Sequence, residues 1–203
     1  MTAEPLASTP SDEELPEWFY PPEGGWTADD LDRLPPSAPR FELIDGAPVM
    51  RSPQTSFHSQ VMRRLANAVE LAAPPSLSVE TDMSVRLGDR QRPEPDVLVA
   101  DAATDPARTA YLPEEVVLAV EIVSEESRER DRKTKPLKYA EAGIRHFWRV
   151  EREGDQPVVH TYELDDTTGA YVATGIHRDK AVVPVPFPME IDLTSLYRRW
   201  PAG

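Results

Sequence analysis

Three residues stand out because their surroundings predict something else. Asp96 follows Pro95 and opens the apolar run Val97-Leu98-Val99-Ala100. Glu121 is the one polar residue in Val116-Val-Leu-Ala-Val-Glu-Ile-Val123, and Lys135 stands where a following helix begins. A carboxylate inside a buried strand is costly unless a cation or strong donors lie beside it. On adjacent strands, Asp96 and Glu121 could share a divalent metal, because a hard cation such as Mg²⁺ takes oxygen ligands and favours one or two carboxylates, several waters and a substrate phosphate. Lys135 could then hold or deprotonate an attacking water, or neutralise charge building on a phosphate oxygen. The same residues also admit a plainer arrangement, an internal ion pair between Glu121 and the lysine fourteen positions later.

The elements that must position these residues follow from patterning. Phe41-Glu-Leu-Ile-Asp45-Gly46-Ala-Pro-Val-Met50 reads as two short strands around Asp-Gly, a hairpin dipeptide that tolerates positive φ. Ser56 is expected to cap a helix whose apolar stripe is Val61, Leu65, Ala68 and Ala72, ended by Pro74-Pro75. Strands are expected over 78–87, 96–100 and 116–123, the last apolar on both faces as in a central strand. A charged stretch, 124–135, leads into a helix from Pro136 through Ala142 with Gly143 as its stop. Strands over 144–150, 158–164 and 171–176 follow, and 182–193 reads as an edge strand or a wrapping segment. A short capped helix is expected at Thr27–Asp30. The order describes an α/β or α+β domain, a mixed sheet with helices on both sides.

The chain has 203 residues, one domain by length, with 39% hydrophobic and 29% charged residues. It has no cysteine, which excludes thiolate chemistry and cysteine-held zinc, and no apolar run of membrane-spanning length or secretory start; a cytoplasmic protein is the expectation. The formal charge of −14 argues at face value against nucleic acid, but it is unevenly spread. Residues 1–40 hold nine acids, two bases and eight of the 22 prolines, so 1–24 is expected to be a disordered acidic tail, 25–197 the folded domain and 198–203 a second tail. Between Arg128 and Arg149 there are eight bases and three acids, a local excess of +5 beside Lys135. Within it Arg132 and Lys133 are candidate substrate-binding residues, as is His58 near a helix N-terminus, an end that favours anions.

At these residues the sequence resembles the Uma-type family of restriction endonucleases, a bacterial branch of the PD-(D/E)XK nuclease superfamily. The resemblance is carried by Phe41-Glu-Leu-Ile-Asp-Gly46, His58, Pro95-Asp96-Val-Leu-Val, Val120-Glu121-Ile-Val-Ser124, Asp131-Arg-Lys-Thr-Lys135 with Tyr139, and Ala142-Gly-Ile-Arg-His-Phe-Trp148. It implies a restriction-endonuclease-like core, a four-stranded mixed sheet flanked by helices, with Asp96 and Glu121 holding Mg²⁺ or Mn²⁺, and DNA as substrate. In the wider superfamily the lysine lies two residues after the acid, but that place here is Val123. Lys135 occupies the matching position from the next helix, and Lys133 and Lys138 are its nearest substitutes. Glu42, in the resembling hairpin segment, is an auxiliary acid on this reading.

Two other classes compete. A non-catalytic interaction module could keep the nuclease fold, its acids paired with Lys135 and its acidic tail the binding element. A carboxylate-pair glycosidase would need a sugar cleft lined with aromatics. A symmetric homodimer would suit double-strand cutting.

Overall fold

In the computed structural model, which describes residues 15–198, Asp45 and Gly46 both take positive φ, 51° and 77°. That backbone reverses the chain in two residues and joins β1 (Phe41–Ile44) to β2 (Ala47–Met50) as the antiparallel hairpin its Asp-Gly predicts. The short helix α1 (Ala28–Asp32) precedes it, its first turn closed by the Thr27 N–H donating to Asp30 Oδ2 at 2.8 Å. Of the tail expected over 1–24, residues 1–14 lie outside the described residues, as do 199–203 of the C-terminal one. Over 15–24 the chain carries a 3₁₀ turn, Glu17–Phe19, with the Trp18 ring 6.3 Å from that of Phe41.

Helix α2 (Ser56–Ala72) begins one residue from where its sequence suggests: Thr55 is the cap, its Oγ1 accepting the His58 N–H at 3.2 Å. Its buried stripe is Val61, Leu65 and Val69 rather than Ala68 and Ala72, because the bulkier valine takes the core-facing position. The stretch expected as one strand over 78–87 divides into β3 (Ser78–Thr81) and β4 (Ser84–Val85), broken where Asp82 turns to φ 56°. Next come β5 (Val97–Ala100), β6 (Ala110–Tyr111) and β7 (Val116–Ile122), then α3 (Lys135–Glu141), β8 (His146–Glu153), β9 (Gln156–Asp165) and β10 (Ala170–His177). The last stretch is a hairpin, β11 (Lys180–Val183) and β12 (Met189–Asp192), where sequence suggested one edge strand or a wrap. Its alternate residues Ala181, Val183, Met189 and Ile191 are buried against the α2 side of the core.

Six strands form the central mixed sheet in the order β10-β9-β8-β7-β5-β3, wider than four strands. All neighbours are antiparallel except β7 and β8, and that parallel pair requires a crossover, which α3 supplies. The faces of the sheet separate by the two-residue period of its strands. Val97, Val99, Leu118, Val120, Ile122 and Trp148 join α2 in one cluster, and Leu98, Ala100, Ala119 and Phe147 join Tyr139 and Ile144 in the other. Glu121 belongs by parity to the second face, under α3.

Candidate active site

Two prolines bracket Glu94 in Pro93-Glu94-Pro95-Asp96, and their fixed φ keeps the chain extended as it enters β5. The Asp96 N–H donates to Val120 O at 3.0 Å, one step past the Val97–Val120 pair, so Asp96 lies beside Glu121. Glu121 is 1% exposed. One turn apart on α3, Lys135 and Tyr139 both reach it: Lys135 Nζ is 3.0 Å from Oε2, and the Tyr139 hydroxyl donates to Oε1 at 2.6 Å. The β1–β2 hairpin is clasped to the preceding loop by reciprocal backbone bonds between Leu43 and Arg92, at 3.1 and 2.7 Å. That clasp aims Glu42 inward, with Oε1 2.6 Å from Lys135 Nζ and accepting the Glu94 N–H at 2.8 Å.

Asp96 is held from three sides. Its Oδ2 accepts the Ile122 N–H at 2.7 Å and lies 3.1 Å from His58 Nε2, and its Oδ1 receives Arg51 at 2.9 Å. Arg51 also bridges Asp82, at 2.7 Å, and Glu94. Asp131 completes the cluster from a π-helical turn, Arg130–Thr134, that runs into α3; its Oδ1 is 3.5 Å from Lys135 Nζ. Sequence reasoning missed Arg51, Glu94 and Asp131 as site residues. Asp131 carried a legible signal, four residues before Lys135; Arg51, at the far end of a hairpin strand, carried none.

Three carboxylates, Glu42, Glu121 and Asp131, thus share one ammonium. Burial raises the Glu121 carboxyl well above its usual range; Lys135 opposes this, while the charges of Asp131, Asp96 and Glu42 add to it. Burial works against the Lys135 ammonium, but Glu121, Glu42 and Asp131 outweigh it and keep that nitrogen protonated far above its ordinary range. For Asp96, burial is overcome by the hydrogen bond and charge of His58, by Lys135 and by the Ile122 N–H, which together hold it below the usual range. His58 is raised, burial being outweighed by its bond to Asp96.

These groups line a cavity of about 190 Å³ that includes Glu42, Arg51, His58, Asp96, Glu121, Asp131 and Lys135. Among the described residues no Trp, Tyr or Phe lines it, where a sugar cleft would call for an aromatic platform. The structure therefore brings together Asp96, Glu121, Lys135, Glu42 and His58. Arg132 lies in an adjoining cleft, paired with Glu151, and Lys133 faces solvent, 3.0 Å from Glu129. The donor set fits a hard divalent cation, being all oxygen and carrying more buried negative charge than Lys135 neutralises. Among the described residues no three His, Asp or Glu are grouped as metal ligands, so two carboxylates would leave the remaining positions to water and phosphate.

A family model described as "Putative restriction endonuclease" matches residues 28–195. The chain belongs to that family, Uma2. No curated protein matches it. Among solved structures, this Uma2 chain resembles one described as a "putative nuclease belonging to DUF820" from Anabaena variabilis, with a TM-score of 0.64 and 17% identity over 84% of this chain and 96% of that one. At that identity the likeness establishes a shared fold, the mixed α+β sheet described above. Membership of Uma2 and this fold together support a nuclease. Among the described residues, no helix is long and apolar enough to cross a membrane.

Proposed function

We propose that this Uma2 protein is a divalent-metal-dependent endonuclease that hydrolyses phosphodiester bonds in DNA. The observation that carries the reading is the meeting of Asp96, Glu121 and Lys135, from three separated segments, at one cavity with surplus carboxylate charge. Asp96 and Glu121 would hold Mg²⁺ or Mn²⁺. Bound there, the ion would supply Lewis-acid polarisation of the phosphate and a water of lowered pKa. Lys135, paired with Glu121 at 3.0 Å and Glu42 at 2.6 Å, would orient the attacking water and steady charge on a phosphate oxygen. Glu42 holds that ammonium in place. Nδ1 of His58 is buried and takes no hydrogen bond within the described residues, which leaves it free to donate to a substrate oxygen. The test is cleavage of supercoiled plasmid with Mg²⁺ or EDTA, using wild type and Asp96→Ala, Glu121→Gln and Lys135→Ala. Metal-dependent nicking lost in all three variants is expected, and nicking that survives them refutes the assignment.

One observation favours a second reading, a non-catalytic module on the same fold: each oxygen of Asp96 and Glu121 already has a partner within the protein. Calorimetric titration with Mn²⁺ separates the two, because the module reading predicts no binding at these acids.

A further inference from the structure

The cavity has a neighbour of opposite charge. A second cleft, of about 290 Å³, opens at the carboxyl ends of the parallel strands β7 and β8, and it shares Thr55, His58, Ser124 and Glu125 with the cavity. Among the described residues the cavity is lined by six carboxylates against three cations, Arg51, Arg130 and Lys135. The cleft reverses that balance, with Arg128, Arg132 and Arg152 against Glu125 and Glu151. A phosphate entering the cavity meets carboxylates and needs a metal between; a phosphate one step along the same strand, lying in the cleft, meets bases directly.

The three arginines are not equally available. Arg132 is committed: its Nε donates to Glu151 Oε1 at 3.1 Å and its Nη2 reaches Oε2, while Glu151 also takes Arg149 Nε at 2.8 Å. Arg128 is half-exposed and lies 3.4 Å from Glu125, a carboxylate 92% exposed to solvent. A pair so open to water contributes little and gives way to a better partner. Arg152 is half-exposed as well, but its position is set. It follows Trp148 and Val150 by the two-residue period of β8, so it emerges on the α2 side just beyond the end of β7. Its guanidinium carbon stands 5.2 Å from the ring centre of buried Phe57, in the first turn of α2, and its Nε donates to Gly154 O at 2.7 Å. Its Nη2 pairs at 2.8 Å with Asp155, itself half-exposed, across the β8–β9 turn. Both guanidinium groups therefore present N–H groups at the mouth of the cleft, one mobile and one braced on an aromatic ring.

We propose that this cleft is the subsite for the phosphate next to the scissile one, contacted by Arg128 and Arg152, so that the site takes a polynucleotide strand and not an isolated phosphodiester. The assignment rests on the nuclease reading above. The planar fork of a guanidinium matches two phosphate oxygens at once, which a point charge does not. It also replaces Arg132 and Lys133, the bases that sequence put forward, with two that the fold leaves facing the cleft.

The test compares wild type with Arg128→Gln, Arg152→Gln, their double variant and Arg145→Gln, an exposed arginine outside the cleft, on a short labelled duplex whose cut position has been mapped. Cleavage is followed with Mg²⁺ from about 50 to about 200 mM salt. KM is expected to rise about fivefold in each single variant and about twentyfold in the double, with kcat within about twofold of wild type. The log–log salt slope of the double variant should fall by about 0.9, the share of one phosphate. Arg145→Gln should leave KM within about twofold. In a second arm a neutral methylphosphonate replaces one linkage at a time beside the cut. On one side it should raise the wild-type KM by about as much as the double substitution does, and that of the double variant by less than about twofold, since the contact is already gone. A double variant with unchanged KM overturns the proposal, as does an Arg145→Gln that loses as much, or a neutral linkage that costs the double variant as much as wild type. If Arg152→Gln fails to fold, a neutral-linkage cost undiminished in Arg128→Gln overturns it instead. A wild type that does not cut removes the nuclease reading and the subsite with it, a result distinct from a wild type that cuts alongside a double variant of equal KM.

Discussion

Glu121→Gln should make the metal-free protein more stable at neutral pH while removing its activity. At an effective dielectric constant of about 20, the Lys135–Glu121 contact at 3.0 Å is worth roughly 5 kcal/mol of attraction. Glu42 and Asp131 sit on the same nitrogen, so their oxygens lie within about 6 Å of that of Glu121, and each repels it by roughly 3 kcal/mol on the same scale. The repulsions cancel the attraction, and what remains is the cost of burying a carboxylate. Glutamine keeps an acceptor for the Tyr139 hydroxyl, and Lys135 keeps Glu42 at 2.6 Å. Replacing such a charge by a neutral group of the same shape is expected to stabilise by about 1–3 kcal/mol, which raises Tm by roughly 3–9 °C for a chain of this size. The folded pKa of Glu121 is raised, so its penalty is fully present above that value and disappears as pH falls toward the unfolded value of about 4.3. The gain in Tm should therefore be largest near pH 8 and shrink toward pH 5. Scanning calorimetry in EDTA at both pH values measures it. A Glu121→Gln protein that melts below wild type at pH 8 would show the pair to be net stabilising, and the surplus of negative charge inferred for the cluster would be wrong.

Arg51→Ala strips the guanidinium from buried Asp96 and Glu94; a loss of about 3 kcal/mol or more, and of roughly 6 °C or more in Tm, is expected by calorimetry. Tyr139→Phe leaves Glu121 Oε1 without its donor and should cost about 1–3 kcal/mol in urea unfolding at pH 8, an effect that vanishes when paired with Glu121→Leu. Because Asp96 is held below its usual range, its contribution is complete above the unfolded pKa of about 3.9 and is lost as pH falls through the folded value. The stability gap between wild type and Asp96→Asn in EDTA should accordingly widen as pH falls from 8 to about 6, where His58 takes its proton beside Asp96, and close at acid pH as Asp96 itself is protonated; a gap that does not close there contradicts the pairing.

Much of this arrangement was legible in sequence, for physical reasons that differ by residue. Glu121 stood out because a carboxylate among seven apolar residues of one strand must have a cation or donor beside it, whether in an ion pair or a site, and Asp45-Gly46 because few dipeptides accept two positive φ values. Asp96 was visible through its proline and the apolar run after it. Arg51 was not, because its partners Asp82, Glu94 and Asp96 lie 31 to 45 residues away and only the docked hairpin brings them together. The basic run 128–149 misled in degree: Arg130, Arg132, Lys133, Lys138, Arg145 and Arg149 each find a nearby acid, so the local excess of bases is largely answered within the fold. Asp131 fell inside that run, and its burial depends on the widened turn, which no periodicity rule encodes.

The central claim, that Asp96 and Glu121 together hold a divalent ion, is tested most directly by the anomalous scattering of a crystal equilibrated with Mn²⁺. A single peak at about 2.0–2.4 Å from an oxygen of each carboxylate is predicted, absent from an Asp96→Asn crystal treated identically. No peak between the two acids at saturating Mn²⁺, or a peak unaffected by that substitution, would contradict the account.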